Sequence, residues 1–592
     1  MSGPRQRNTT PSVASRKGYD EPVHQLDDEL EREKPAPKRS RKTFRIVTAG
    51  LILVAIAGLY VTITRGPLRK HTSFRDRVKY LIPTQEQAER NFAADVPRRE
   101  MIKNAFLHAW HAYEEHAFGD DDFHPISKKG SNLTEAGGIG YTIVDALDTM
   151  MLMGLDDEVK RAREWIRDEL TFDLDGEYNT FEITIRILGG LLGAYHMSSK
   201  TSSGPDALYL EKAQDIGDRI LSAFSTPSGL PLPSFNPGQL IGIPDKHSPA
   251  LVSTAEAATL QLELKYLSHL TGDDKYWRAG ERVMKVLKAA GNGGLAPIMV
   301  NADIGQYVTS DIRLGSRGDS YYEYLLKQYL QTDRTEPAYR DMYDVAMEDI
   351  NKHLVKYSPT NNLLYTSELQ PQGGLQGSEW KNVPKQDHLV CFLGGSLLLG
   401  VTEGGGQVPP DLATFNEAEK RDWKTGIGLI RTCMETHNTW TGLSPEIAHF
   451  RTATDPEWIA RYAPKDWYIK GMKGHEGDTY DARYMLRPET VESLYIGYRI
   501  TGHSQFRTWG WQIFQAIQKH CKIQDGGYAT VLNVDQMPVK HEDKMETFFL
   551  SETLKYLFLL FDRPGSISLE REVFNTEAHI FPVFTPEIES QI

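Results

Sequence analysis

From residue 96 almost to the end of the chain, apolar residues recur at the i, i+3, i+4 spacing of helices, with little period-two alternation. In the first such segment, 101–116 (MIKNAFLHAWHAYEEH), Ala105, Phe106, Ala109, Trp110 and Tyr113 form one stripe. Several later segments share a plan: an acidic start, apolar and Tyr-rich turns, a loop, then a second amphipathic helix. Residues 263–277 (ELKYLSHLTGDDKYW), 323–339 (EYLLKQYLQTDRTEPAY) and 492–509 (ESLYIGYRITGHSQFRTW) follow it, whereas 552–562 (ETLKYLFLLFD) has no second helix after it. Glu182, Glu256, Asp319, Asp387, Glu489 and Glu546 stand at comparable starts, separated by 74, 63, 68, 102 and 57 residues. Each interval accommodates a helix pair with its loops. Such a repeat predicts an all-α fold, either an open solenoid or a closed ring. In a ring, the inner helix N-termini would bring several carboxylates to one cavity. That suits sugar hydrolysis, which needs two carboxyl groups about the scissile bond. The open solenoid, binding a protein partner along its concave face, is the alternative.

Residues 486–493 (LRPETVES) carry the sharpest version of this pattern. Pro488 suits the first turn of a helix, where its missing N–H is not needed. Val491, Leu494, Tyr495 and Tyr498 supply the apolar face. Glu489 then lies at the helix start, where the dipole favours a carboxylate and keeps it ionised, as a general base requires.

The pattern changes at the N-terminus. Residues 46–64 (IVTAGLILVAIAGLYVTIT) carry no charge and are long enough to cross a bilayer as a helix. Lys38, Arg39, Arg41, Lys42 and Arg45 precede them, which predicts a signal anchor with the C-terminal bulk in the lumen. Arg65, Arg69 and Lys70 follow and weaken that bias. The chain thus divides into a polar, disordered cytoplasmic tail (1–45), one transmembrane helix (46–64), a lumenal stem (65–95) and a helical catalytic body (96–592).

Composition narrows the function. The net charge is −13; residues 1–45 carry +4, leaving −17 for the rest, which excludes nucleic acid as a partner. No HExxH, P-loop lysine or GxSxG occurs. Gly138-Ile139-Gly140 is followed by Ile143 where a dinucleotide loop needs glycine. Asp173-Leu174-Asp175-Gly176 places its glycine too early for a calcium loop and Thr184 where a bidentate Glu belongs. Cys391, Cys433 and Cys521 lie too far apart for a zinc site. Asn132-Leu133-Thr134 is a glycosylation sequon on the lumenal side; Asn8-Thr9-Thr10 fits the pattern but is cytoplasmic in this topology.

Seven segments, in order, resemble the class I α-1,2-mannosidases of glycoside hydrolase family 47. They are 141–155 (YTIVDALDTMMLMGL), 181–195 (FEITIRILGGLLGAY), 318–327 (GDSYYEYLLK), 386–393 (QDHLVCFL), 486–493 (LRPETVES), 546–558 (ETFFLSETLKYLF) and 574–579 (FNTEAH). The resemblance implies an (α/α)7 barrel with a monomeric catalytic domain and bound Ca²⁺. It implies inverting removal of terminal α-1,2-mannose from high-mannose N-glycans in the endoplasmic reticulum or Golgi. Carried over position by position, it makes Glu489 the base, Glu182 the acid and Asp319 a third catalytic candidate. It makes Thr576 the metal ligand through hydroxyl and carbonyl oxygens. Asp145, Glu323, Glu492, Glu552 and Glu577 become acids near metal or sugar, with Glu256, Arg186, Arg317 and His388 in the site and Phe548 under the sugar ring. Glu182 and Arg186, four apart, share a helix face. Cys391 and Cys433 match the disulfide of the processing enzymes, leaving Cys521 buried and inert. A lectin-like member without turnover, acting in glycoprotein quality control, is the nearest alternative. The chain departs from the family at 117–125 (AFGDDDFHP), at Gly394 and between Ser234 and Glu256, which bears on branch preference.

Overall fold

The computed structural model describes residues 81–592 except 292, 373–378, 457–458, 460–464 and 472–478. The tail, the proposed membrane span and most of the stem lie outside the described residues. Among the described residues no helix is long and apolar enough to cross a membrane.

A short helix, α1 (Gln85–Asn91), opens the folded body with a capping box at Thr84 and Gln87. The last part of the expected stem is therefore structured. Asn91 holds it to the body, donating to the Gly502 carbonyl at 2.8 Å while its own carbonyl accepts from Tyr498 and Arg507. Helix α2 (Val96–Ala117) follows.

The remaining described α-helices of eight or more residues alternate between two kinds. One kind is buried on every side: α3 (Tyr141–Met153), α5 (Gly189–Ser199), α7 (Gln261–Thr271), α9 (Asp319–Gln331), α11 (Phe392–Thr402), α13 (Glu489–Thr501) and α15 (Leu554–Phe561). The other kind is amphipathic: α4 (Asp156–Asp168), α6 (Ala207–Ile220), α8 (Asp274–Ala290), α10 (Pro337–Asp349), α12 (Glu417–Thr436) and α14 (Ser504–His520). Helix α4, for example, buries only Ala162 and Ile166. A helix buried on every side must be covered on every side, so the first kind lies inside and the amphipathic kind outside.

Neighbour packing closes the ring. Helix α3 packs on α5, α5 on α7, α7 on α9, α9 on α11, α11 on α13, α13 on α15, and the segment opening α15 on α3. Each inner helix also packs on the outer helix that follows it in sequence. The exception is α15, which is followed by no helix and packs on α2 from the other end of the chain. The unpaired 552–562 segment thus finds its partner across the whole sequence. Seven pairs result, which settles ring over solenoid.

Most connections from inner to outer helices are short, with Gly154, Gly272 and Gly502 in the left-handed conformation that ends a helix; the α11–α12 connection, 403–416, is longer. Connections from outer to inner helices are long and fold into two- and three-stranded sheets with strands of two to five residues. Such strands are too short to show an alternation of period two, so the sequence pattern did not announce them. The final hairpin, β1 (Glu572–Phe574) and β2 (Ile580–Pro582), places its loop 575–579 among the inner helices. There His579 lies 3.1–3.2 Å from Asp145 and Asp148 of α3, and Lys555 of α15 donates to Asp148 and to the Ala578 carbonyl. The Cys391–Cys433 disulfide is present, and Cys521 is free and buried.

Candidate active site

A cavity of about 410 Å³ lies at the N-terminal ends of the inner helices. Glu182, Glu256, Asp319, Glu323, Glu489, Glu492, Glu552 and Glu577 line it, with Arg186, Arg317 and Arg487 as the lining cations. Local structure explains how the acids come to stand there. The Asn179 side chain caps the turn carrying Glu182, accepting its N–H at 2.8 Å. Ser253 caps the short helix Thr254–Ala258 that carries Glu256. Asp319 and Glu489 are the first residues of α9 and α13. Pro488 stands one position outside α13, as its N-cap. Before Asp319 the chain turns sharply: Arg317 has φ +72°, held by the Ala255 N–H on its carbonyl, and a Cβ at Gly318 would come within 2.2 Å of the Arg313 carbonyl. Both remaining acidic walls use π-helical turns, Ile183–Leu188 with Arg186 and Phe549–Thr553 with Glu552.

The two helix-start acids have opposite electrostatics. Burial pushes Glu489 up, but the hydrogen bond from His388 Nδ1 at 2.7 Å and the charges of His388 and Arg487 outweigh it, holding the carboxyl below its ordinary range. The Thr490 hydroxyl lies 3.0 Å from His388 Nε2, so the imidazole is held between Thr490 and Glu489 with Nδ1 facing the carboxylate. Among the described residues no cation pairs with Asp319. Burial, then the charges of Glu323, Glu489 and Asp387, push it up to about 7 against the hydrogen bond from the Ser320 N–H at 2.9 Å. One acid is thus held ionised and the other holds its proton near neutrality, the division that acid–base hydrolysis needs.

Arg186 organises a third side. Its Nε donates to Glu182 at 2.8 Å, its Nη1 pairs with Glu577 and reaches Asp145 at 3.4 Å, and the Tyr141 hydroxyl donates to Glu182 at 3.2 Å. The Phe548 ring has the guanidinium carbons of Arg186 and Arg487 each 5.7 Å from its centroid. Deeper in, the Thr576 hydroxyl donates to Glu323 at 2.8 Å, and Lys327 pairs with Glu323 and lies 3.9 Å from Glu492. Burial and neighbouring carboxylates push Glu492 up to about 8 and drive Glu552 and Glu577 upward too.

The structure therefore gathers most of the expected site residues. Asp145 and His388 stand behind the wall rather than on it: Asp145 is fully buried under Thr547, Ser551 and His579, and His388 backs Glu489. Of the six repeated starts, Asp387 and Glu546 do not line the cavity; each pairs with a lysine, Lys385 and Lys544. Arg487 was missed as a site residue, although it lies inside LRPETVES. It forms an ion pair with Glu446 at 2.7 Å and reaches Glu489 at 3.9 Å. Its adjacency to the helix-start acid was the available signal. Phe181, Ser316 and Phe392 also line the cavity, and nothing in their local sequence marked them.

A closed ring of helix pairs with a carboxylate-rich cavity at the inner N-termini has the build of a carbohydrate-active toroid. The family model for glycosyl hydrolase family 47 matches residues 105–583, and the chain belongs to that family. An "Endoplasmic reticulum mannosyl-oligosaccharide 1,2-alpha-mannosidase" of Schizosaccharomyces pombe is 40% identical over 556 residues, covering 92% of this chain and 97% of that protein. A "Mannosyl-oligosaccharide 1,2-alpha-mannosidase" of Candida albicans is 43% identical, covering 82% and 83%. The solved structure of an alpha-1,2-mannosidase from Trichoderma reesei superposes with TM-score 0.72 at 28% identity, covering 83% of this chain and all of that one.

Proposed function

We propose that this protein is a Ca²⁺-dependent, inverting exo-α-1,2-mannosidase that trims high-mannose N-glycans. In this reading it is a single-pass type II protein of the endoplasmic reticulum or Golgi membrane, with a monomeric lumenal catalytic domain. The observation that carries the reaction is that Glu489, backed by His388 at 2.7 Å, and the buried Asp319 line one cavity in environments that favour opposite protonation states. Glu489 takes a proton from a water, whose oxygen attacks the anomeric carbon. Asp319 gives its proton to the glycosidic oxygen, and the bond to the leaving sugar breaks. Attack from the face opposite the leaving group inverts the configuration. Asp319 is preferred to Glu182 as donor because the Glu182 carboxylate already accepts hydrogen bonds from Arg186 and Tyr141. Phe548 offers a ring face to the apolar side of a sugar, and Arg487 keeps Glu489 oriented.

The donor set is compatible with a calcium ion held largely by water. Eight acids crowd one cavity, and their mutual repulsion and burial push Asp319, Glu492, Glu552 and Glu577 upward, a crowding that a divalent cation would relieve. Among the described residues, no group of three His, Cys, Asp or Glu side chains converges closely enough to hold a metal directly. Thr576 would hold the ion through its two oxygens, with Glu323, Glu492, Glu552 and Glu577 orienting its waters. When bound, Ca²⁺ supplies a charge that orients sugar hydroxyls. The Schizosaccharomyces pombe relative is named for the endoplasmic reticulum, which favours that compartment. Asn132 is exposed and its Oδ1 only accepts the Asp121 N–H, which leaves the amide nitrogen available for a glycan.

The test is to incubate the full chain in detergent with a high-mannose glycan and follow product masses and the anomer released. Stepwise loss of single hexoses with β-mannose as first product, abolished by a chelator, is expected. Binding without mass change would instead make it a lectin, and indifference to chelator would remove the metal.

A further inference from the structure

Glu263 is a carboxylate on the first turn of α7, fully buried, and it plays no part in the reaction above. Its partners are unusual. Among the described residues no lysine or arginine pairs with it, and its Oε2 has no hydrogen-bond partner. Both of its bonds converge on Oε1: the Asn575 amide donates at 2.8 Å and the Tyr324 hydroxyl donates at 2.8 Å. A buried acid without a cation is costly unless its acceptor capacity is used for something.

Each of the two donors hands the constraint on to the loop that lines the cavity. The Tyr324 oxygen accepts the Thr576 N–H at 3.3 Å. The Asn575 Oδ1 accepts the N–H groups of Glu577 at 2.9 Å and His579 at 2.7 Å. The orientation of that amide is unambiguous, because two N–H donors face one end while the Glu263 carboxyl and the Ile185 carbonyl face the other. Space for it comes from Gly189, where a Cβ would lie 2.7 Å from the Asn575 nitrogen. The loop needs such tethering, since Ala578 sits at φ +60°, a conformation unfavourable for a residue with a side chain.

We infer that Glu263 is a positioning residue for the cation site: through Tyr324 and Asn575 it fixes the backbone of Thr576 and Glu577 and so sets the affinity for Ca²⁺. The inference rests on the metal reading above. Groups that orient ligands from behind typically change metal affinity 10–100-fold when removed.

The test is direct Ca²⁺ binding by calorimetry on the chelator-stripped full chain in detergent, beside thermal unfolding of the same samples in chelator. Glu263→Ala removes the acceptor, Tyr324→Phe removes one hydroxyl, and Glu263→Gln keeps an oxygen that can accept both donors. The expected result is about 10–100-fold weaker Ca²⁺ binding for Glu263→Ala and Tyr324→Phe, with Glu263→Gln close to the parent. If Glu263→Ala does not fold, Tyr324→Phe carries the comparison. Parent-like Ca²⁺ affinity in Tyr324→Phe and Glu263→Ala, whatever their unfolding temperatures, would show a purely structural role and overturn the inference. Failure of the unsubstituted chain to bind Ca²⁺ would instead overturn the metal reading itself.

Discussion

At the residue scale, Glu489 and Asp319 differ by what stands behind them. His388 and Arg487 favour the charged form of Glu489; among the described residues no cation pairs with Asp319. Glu489→Gln keeps the shape but accepts no proton, so kcat should fall about 10²–10⁴-fold with KM for the glycan nearly unchanged. Thr576→Ala should do the reverse, raising the Ca²⁺ requirement and KM, and should be partly rescued by excess Ca²⁺. A helix-start glutamate that merely stabilised α13 would leave Glu489→Gln near normal turnover. The pH profile follows from the same pair. Asp319 donates only while protonated, so activity should decline on the alkaline side through about 7. Glu489 accepts only while ionised, and its lowered value carries activity below pH 4.5, the ordinary glutamate value. A kcat/KM profile flat well above pH 8 would remove Asp319 as the donor.

At the element scale, the ring depends on pairs that the sequence separates by hundreds of residues. Helix α2 covers α15, and Phe106 on α2 is fully buried. Phe106→Ala should lower unfolding stability by about 3–5 kcal/mol, measured by denaturant titration, because it leaves a cavity on the buried face of α2. The Cys391–Cys433 disulfide joins the turn that leads into α11 to the outer helix α12, close behind His388. Cys391→Ser should cost about 2–4 kcal/mol of stability in the same titration. Cys521→Ala should cost less, since that thiol is unpaired; burial pushes it upward, which keeps it unreactive. A larger loss for Cys521→Ala than for Cys391→Ser would contradict this.

At the scale of the whole molecule, topology makes its own prediction. If the body lies in the lumen, Asn132 receives a glycan, and Asn132→Gln should abolish an endoglycosidase-sensitive mobility shift in protein from a eukaryotic host. No shift in the unsubstituted protein would count against the lumenal orientation. Helical periodicity, the paired repeat and the acids at helix starts were legible in the sequence because they are set within a few turns of chain. Glu182, Glu256, Asp319 and Glu489 were legible for the same reason, each lying at a local helix start. Their roles rest on resemblance to a family, as did the number seven until packing closed the ring. What local pattern could not decide was which acids face the cavity: Asp387 and Glu546 share the pattern of the others but pair with lysines at its edge. Nor could it place Asp145 and His388 behind the wall, bring Arg487 beside Glu489, or seat 575–579 between α3 and α9. Those outcomes depend on contacts between residues far apart in sequence, where burial and neighbouring charge set whether an acid is ionised, and only the tertiary structure contains them.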